Sequence, residues 1–300
     1  MLSIIICTYN RDKYLYNALK NIAENDFPYT SYEIILINNN STDNTETECR
    51  HFRADFPNVD FRYFIEPKQG LSHARNRGIK EARGDLYIFL DDDSFVKKNY
   101  LMNLEKNIKL YPDILAYGGK IIPLFESGKA PAWLSKWTYS WVSAIDLGDK
   151  SVLFKNNKYP IGANMGISKN SVDVIGFFNP QLGRTQKNLL AGEEKDFFYR
   201  LKKIKGEIRY LPDIEVEHVI PESRTTIEYI KRMGLGIGIS EKLRTLPLSK
   251  IQYFKRLFLE LVKWSASIIL CAGFILIFQP VKGTVLLLFR WYVTKGLLSK

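Results

Sequence analysis

Residues 87–96, YIFLDDDSFV, run four strand-forming residues straight into Asp91, Asp92 and Asp93, and apolar residues resume at once. Adjacent carboxylates at a strand end repel one another, and folding tolerates them only where something positive stands among them. A divalent cation meets that need, since Mg²⁺ or Mn²⁺ takes one or two protein carboxylates together with substrate phosphates. The other reading is a solvated, aspartate-rich turn before the helical pattern near Lys97. Two more groups stand out. Glu193 and Glu194 open the helical pattern GEEKDFFYRL, where on their own they read as acids complementing a helix dipole. His218 in EVEHVI reads on its own as a hydrogen-bonded core histidine.

The elements that must position these groups follow from apolar periodicity. SIIICTY reads as a first strand, and RDKYLYNALKNIAEN as a helix with Leu15, Ala18, Leu19, Ile22 and Ala23 on one face. EIILIN and FRYFIE read as strands two and three, joined by a helix capped by Ser41 or Thr42. LSHARNRGIKEARG reads as a helix closed by Gly84, and DLYIFL as strand four. This alternation predicts an α/β fold with a mostly parallel sheet flanked by helices. Polar loops follow the strands at Thr8 to Arg11, Asn38 to Asp43 and Asp91 to Ser94. Ligand crevices of open α/β sheets lie outside the carboxyl ends of the strands, so the three loops should converge on one site.

Downstream, residues 123–160 are irregular and rich in tryptophan, which suits an active-site flap or a packing insertion. EIRYLPDIEVEHV reads as a strand pair broken at Pro212, and TTIEYIKRMGLGIGISEKL as a helix. The run GLGIGIS lacks the early-strand context of a dinucleotide-binding loop, so it is assigned to helix packing or to a mobile arm.

Three hundred residues of ordinary apolar and charged content can bury a core. Cys7, Cys49 and Cys271 are widely spaced, which argues against a disulfide framework and for a reducing compartment. MLSIIICTYN carries neither a basic n-region nor a small-residue cleavage site, so a cytoplasmic start is expected. The net charge of +11 is not spread over the chain as a nucleic-acid-binding surface would require. Residues 242–300 hold ten basic residues against Glu260, and so account for +9 of it.

Residues 241–300 therefore read as a separate basic, apolar, helical tail. Its uncharged run WSASIILCAGFILIFQPV would span about 27 Å as a helix, against a bilayer core of about 30 Å. Lys250, Lys255, Arg256 and Lys263 precede it, and Arg290, Lys295 and Lys300 follow. A single crossing would put one basic flank on the wrong side of the membrane. A hairpin that dips into the inner leaflet with its cations on anionic headgroups is expected instead. A hairpin packed on the rest of the chain, or used in a homo-oligomer, is the alternative.

SIIICTYNR, EIILINNNSTDNT, GLSHARNRGIKEARGDLYIFLDDD, GANMGISKNSVDVIGFFNPQLG, GEEKDFFYRL and EVEHVIPESRTT resemble, in this order, the motif blocks of family 2 glycosyltransferases with the GT-A fold. The resemblance covers residues 1 to about 240. It implies a Rossmann-like GT-A domain over 1–240, with 1–122 binding a nucleotide-sugar and 123–240 serving acceptor and catalysis. It also implies an inverting enzyme that moves a sugar from a nucleoside diphosphate to an acceptor hydroxyl. DDD then resembles a DxD motif, with Asp93 as metal ligand, Asp91 near the ribose or the metal, Asp92 in the variable middle, and Mn²⁺ or Mg²⁺ as cofactor. Thr8 and Tyr9 match positions that line the base, and Arg11 belongs to the same nucleotide-sugar loop. Arg75 is similar to an arginine that holds the base or the diphosphate. Asn38 stands where most relatives carry an aspartate that accepts the uracil N3 hydrogen. Its amide oxygen can still accept, so UDP is favoured and the base left open.

By the same resemblance Glu194 takes the place of the catalytic base, with Glu193 beside it, and His218 that of a histidine completing the metal shell. Arg224 is read as a diphosphate contact or an exposed charge, and Trp133, Trp137 and Asn164 are assigned to the acceptor. A membrane-associated tail suits a lipid-linked glycan acceptor in polysaccharide assembly, on the cytoplasmic face of the membrane. The alternatives are a nucleotidyltransferase of similar architecture, whose glycine-rich signature CTYNRDKY lacks, and a nucleotide-sugar-binding protein without turnover.

Overall fold

The computed structural model describes residues 1–156, 158–185 and 189–299, so Lys300 of the basic flank lies outside the described residues. In chain order the strands are β1 (Leu2–Thr8), β2 (Tyr32–Asn38), β3 (Phe61–Ile65), β4 (Leu86–Asp91), β5 (Ser94–Val96), β6 (Ala116–Phe125), β7 (Val152–Leu153), β8 (Asn164–Ser168) and β9 (Ile208–Ile220). The helices are α1 (Asp12–Ala23), α2 (Thr45–Asp55), α3 (Leu71–Glu81), α4 (Tyr100–Leu110), α5 (Lys169–Ile175), α6 (Glu193–Lys203), α7 (Glu222–Thr225), α8 (Ile227–Thr245), α9 (Lys250–Leu276) and α10 (Pro280–Leu298). They fall into two compact units. One comprises Met1–Pro123, Ser143–Pro180 and Glu194–Val219; the other comprises Leu124–Val142, Gln181–Glu193 and Ile220–Lys300.

The first unit is built on one sheet of order β3-β2-β1-β4-β8-β6-β9-β5, with β7 paired to β9. β1 to β4 run parallel, as alternating strands and helices require. From β8 onward the pairings given by the ladders are antiparallel, so the sheet is mixed rather than parallel throughout. The strand interiors are apolar on both faces because both are covered. Ile4, Ile6, Ile34, Leu36 and Ile88 pack with Leu15, Leu19 and Phe52 on one side. Ile5, Ile35, Ile37 and Phe89 pack with Ala74, Phe197 and Phe198 on the other.

Two expected boundaries move. α2 starts at Thr45, and Asp43 accepts from its N–H (3.1 Å) and hydroxyl (2.6 Å), so neither Ser41 nor Thr42 is the cap. β9 runs unbroken through Pro212, because the proline falls between the ladder with β7 and the ladder with β5 and its missing N–H breaks neither.

In the second unit α8, α9 and α10 pack together, and the glycine run is a helix contact. A Cβ at Gly238 would overlap the Val293 carbonyl of α10, and one at Gly296 the Leu235 carbonyl of α8. The expected hairpin is present as α9 and α10, but two of its flanking cations point inward. Arg256 is buried and bonds Glu241 (2.7 Å) and Glu260 (2.9 Å), and Arg290 pairs with Glu260 at 3.0 Å. A buried carboxylate needs such partners, so these arginines cannot serve as headgroup contacts.

Glu33, fully buried on β2, anchors the amino-terminal edge of the sheet. It accepts from Ser3 Oγ (2.7 Å), Arg83 N–H (2.7 Å), Arg62 (3.0 Å) and the Arg83 side chain (3.0 Å). Burial alone would raise its pKa, but the hydrogen bonds outweigh burial and hold it below the ordinary 4.5. Its stabilisation is therefore complete above that ordinary value and lost as pH falls through the lowered one. Glu33→Gln should cost about 2–3 kcal/mol by chemical denaturation at neutral pH, since both arginines keep access to water. The gap to the native chain should close as the pH is taken below 4.

Candidate active site

Register places the expected residues at one edge. β1 pairs Thr8 with Asn38 and Cys7 with Asp91, so the carboxyl ends of β1, β2 and β4 lie side by side. Two residues separate β4 from β5, and the β5 ladder sets Ser94 opposite His218. The Val219 N–H donates to the Asp93 carbonyl at 3.0 Å, which holds the histidine against the aspartates.

Asp91, Asp93 and His218 each offer a ligand atom, all within 4.8 Å of one another. His218 Nε2 stands 3.1 Å from Asp93 Oδ1 and 3.7 Å from Asp91 Oδ2. The imidazole is fully buried, and neither ring nitrogen makes a hydrogen bond among the described residues. Buried polar atoms are normally satisfied, so an unbonded imidazole facing two carboxylates fits a cation site. Carboxylate oxygens with one neutral imidazole form a donor set that Mn²⁺ or Mg²⁺ accepts, and Asp91, Asp93 and His218 fit such an ion.

Arg11 brings positive charge of the chain's own. Its guanidinium pairs with Asp92 at 2.9 Å and also contacts Asp93. Asp92 is thus more than a spacer. It is 3% exposed, and burial pushes its carboxyl up while Arg11 opposes the shift and Asp93 adds to it. Arg11, expected in the nucleotide-sugar loop, lies on the aspartates, whose mutual repulsion it relieves.

The flanking loops are held by side-chain amides. Asn38 Oδ1 accepts the Ser41 N–H (2.7 Å) and its Nδ2 donates to the Tyr63 hydroxyl (2.7 Å), so its side chain first folds its own loop. Asn10, in the left-handed region at φ 49°, accepts the Thr42 N–H at 2.7 Å and joins the β1 and β2 loops. Asn39 is a residue that periodicity missed. Its Nδ2 donates to the Glu66 and Lys68 carbonyls and its Oδ1 accepts the Gly70 N–H, each at 2.8 Å. The signal in the sequence was the Asn-Asn-Asn-Ser run itself, a composition that favours side-chain bonds to backbone over regular structure.

Glu194 sits in the first turn of α6, and Arg75 of α3 donates to its Oε1 at 2.8 Å. The Gly162 N–H donates to the same oxygen at 3.0 Å, and a Cβ at Gly162 would overlap both side chains. Arg75 is buried beneath Phe178 and Phe89, with its guanidinium on the glutamate. Burial pushes the Cys7 thiol up to about 12, with Arg75 opposing and Asp91 and Asp92 adding. The arginine–glutamate pair and the aspartates therefore share one electrostatic neighbourhood around β1. Glu193 is buried at 3%.

The residues expected at the acceptor separate. Asn164 is fully buried, accepts the Tyr100 hydroxyl and donates to the Lys120 and Ile214 carbonyls, so it braces the core and has no exposed atom for a ligand. Trp133 is buried with Nε1 bonded to the Thr225 carbonyl at 2.9 Å, and Trp141 stacks on Phe289 at 4.1 Å. These two are packing residues. Trp137 is 50% exposed.

A mixed α/β sheet thus carries a carboxylate–imidazole cluster and a held glutamate at its carboxyl edge. Residues 3–176 match the model described as glycosyl transferase family 2, and the chain belongs to that family. A dolichyl N-acetyl-α-D-glucosaminyl phosphate 3-β-D-2,3-diacetamido-2,3-dideoxy-β-D-glucuronosyltransferase of Methanococcus voltae is 30% identical over 146 residues, covering 46% of this chain and 44% of that one. The chain spans less than half the length of the curated relatives it matches. A Pyrobaculum calidifontis mannosyltransferase solved with GDP-Man and Mn²⁺ shares the fold over 100% of this chain and 87% of that one, at TM-score 0.68 and 17% identity. Staphylococcus aureus TarS 1-349 with UDP-GlcNAc does so over 82% and 71%, at TM-score 0.57 and 17% identity. The nucleotidyltransferase alternative finds no support among them.

Arg11→Gln tests the charge balance. In EDTA the variant should melt below the native chain, because Asp92 and Asp93 lose their cation. Added Mn²⁺ should raise its melting temperature by more than it raises the native one. Equal gains would show that Arg11 does not compete with an ion for these carboxylates.

Proposed function

We propose that the chain is an inverting glycosyltransferase that moves a sugar from a nucleoside diphosphate sugar, UDP favoured, to a hydroxyl of a lipid-linked glycan at the cytoplasmic face of a membrane. One observation carries this: a cluster of Asp91, Asp93 and His218 shares the edge of a sheet with a glutamate fixed by Arg75. In this reading residues 1–122 bind the donor and 123–240 serve the acceptor, with Thr8, Tyr9 and Asn38 on the base side and Trp137 on the acceptor side. Asp93, Asp91 and His218 would hold Mn²⁺ or Mg²⁺, which when bound stabilises negative charge developing on the departing diphosphate. Arg11, on the same aspartates, supplies a second positive charge for that anion.

Glu194 Oε1 is committed to Arg75 and Gly162, so Oε2 is the atom that takes the proton of the acceptor hydroxyl. As the proton leaves, the acceptor oxygen bonds to the anomeric carbon from the face opposite the leaving group, the bond to the diphosphate breaks, and the configuration inverts. Arg75 is a positioning residue for this base, and the packed Phe178 and Phe89 hold it. Glu194→Gln should lower transfer by about 10²–10⁴-fold while nucleotide binding is kept. Full release of nucleotide by that variant on adding acceptor would remove the base.

The membrane part of the reading rests on α9. A stretch of it with mean hydropathy 1.8 is only 17% buried. Ile251, Phe254, Phe258, Leu261 and Ile269 are all more than 60% exposed, at spacings that put them on one side of the helix, and Phe278 at the hairpin tip is 94% exposed. Lys250, Lys255 and Lys263 are exposed on the same helix. Apolar residues exposed along the whole helix, with lysines among them, suit a helix lying along an anionic lipid surface better than a tip that dips into it. Phe254→Ser/Phe258→Ser/Leu261→Ser should leave the fold intact and abolish co-sedimentation with phosphatidylglycerol vesicles. Undiminished co-sedimentation would assign that face to another partner.

A further inference from the structure

The second unit contains a cavity of about 380 Å³. Arg184, Arg224 and Arg232 line it, together with Ser223, Thr226 and Tyr229. Neither Arg184 nor Arg232 makes an ion pair among the described residues. The carboxylate present, Glu228, is engaged by Lys231 at 3.3 Å. Guanidinium groups around one cavity repel one another, and Arg184 and Arg232, with no ion pair to offset them, suit an anion there. Guanidinium forks match phosphoryl oxygens two at a time, and the Ser223 hydroxyl supplies a smaller donor that such a group also takes. The cavity opens beside the start of α8, whose amides add to the same positive end.

Where the phosphoryl group comes from follows from what else the unit carries. The residues that suit the donor's diphosphate, Asp91, Asp93, His218 and Arg11, all belong to the first unit. The arginine cavity belongs wholly to the second, which also bears the exposed apolar face of α9. We propose that Arg184, Arg224 and Arg232 bind the phosphate or diphosphate of a membrane-borne ester. That site deepens the transferase reading and rests on it only for the identity of the ester as the acceptor. Arg224 is then neither a donor contact nor an idle surface charge.

The test is calorimetric titration of the full chain in detergent, with EDTA present and UDP saturating, against inorganic pyrophosphate and against farnesyl diphosphate. Both should bind, farnesyl diphosphate more tightly. Arg184→Gln/Arg232→Gln should weaken each by about tenfold or more, with an unchanged melting temperature. The Lys pair at the same positions should recover part of the loss, because charge returns without the fork. Phosphatidylglycerol vesicles separate the sources. If the Gln pair weakens farnesyl diphosphate and spares the vesicles, the ligand is the acceptor's phosphate; if it weakens both, the site takes bulk headgroups. Unchanged affinity in the Gln pair overturns the site, and so does full displacement of pyrophosphate by UDP, which would return the arginines to the donor. Binding is read here without turnover, so a chain inactive in transfer would sink the transferase reading and leave this site standing.

Discussion

Three carboxylates in succession at the end of a buried strand form an arrangement that the rest of this chain must neutralise. Like charges a few ångströms apart raise one another's pKa values, and burial adds to the rise, as at Asp92. The chain answers with Arg11 from the neighbouring strand end, and an antiparallel ladder brings His218 to the same carboxylates from more than a hundred residues away. The antiparallel pairing of β9 with β5 sets Ser94 opposite His218 and so delivers the histidine beside Asp93.

Glu194 is held in a comparable way: Arg75 and the Gly162 N–H tie one of its oxygens, and in the proposed reading the other is left for the acceptor. Gly162 is required by close approach, since any side chain would occupy the space of that pair. The loops around the nucleotide side are stiffened by Asn10, Asn38 and Asn39 bonding to backbone, so irregular segments hold polar groups in fixed positions. Short amide side chains do here what helices and strands do elsewhere in the unit.

In the tail, charge divides by purpose. Arg256 and Arg290 join Glu241 and Glu260 inside the helix packing, where they specify how α8, α9 and α10 meet. Lysines stay outside on α9 among the exposed apolar residues. Arginine suits the buried positions because its fork satisfies two carboxylates at once, whereas the compact, strongly hydrated lysine ammonium stays in water.

Periodicity alone was enough for the first four strands, their helices and the convergence of their polar loops, because local apolar spacing decides which face is buried. The aspartate triplet stood out in the sequence but left a cation site and a solvated turn both open, and Glu193 and Glu194 read on their own as acids at a helix start, so the roles given to them came from the family resemblance. The glycine run, whose context was wrong for a dinucleotide loop, was left between helix packing and a mobile arm, and the fold shows helix packing. What only the tertiary structure decided are the partners across the chain. Residue type and spacing say that Arg11, Arg75 and Asn164 are polar, but the choice between ligand, brace and base-holder depends on which long-range neighbour each one meets. Trp133 and Arg256 turned inward for the same reason, because burial is a property of the packed fold and a local sequence window carries no record of what will be packed against it.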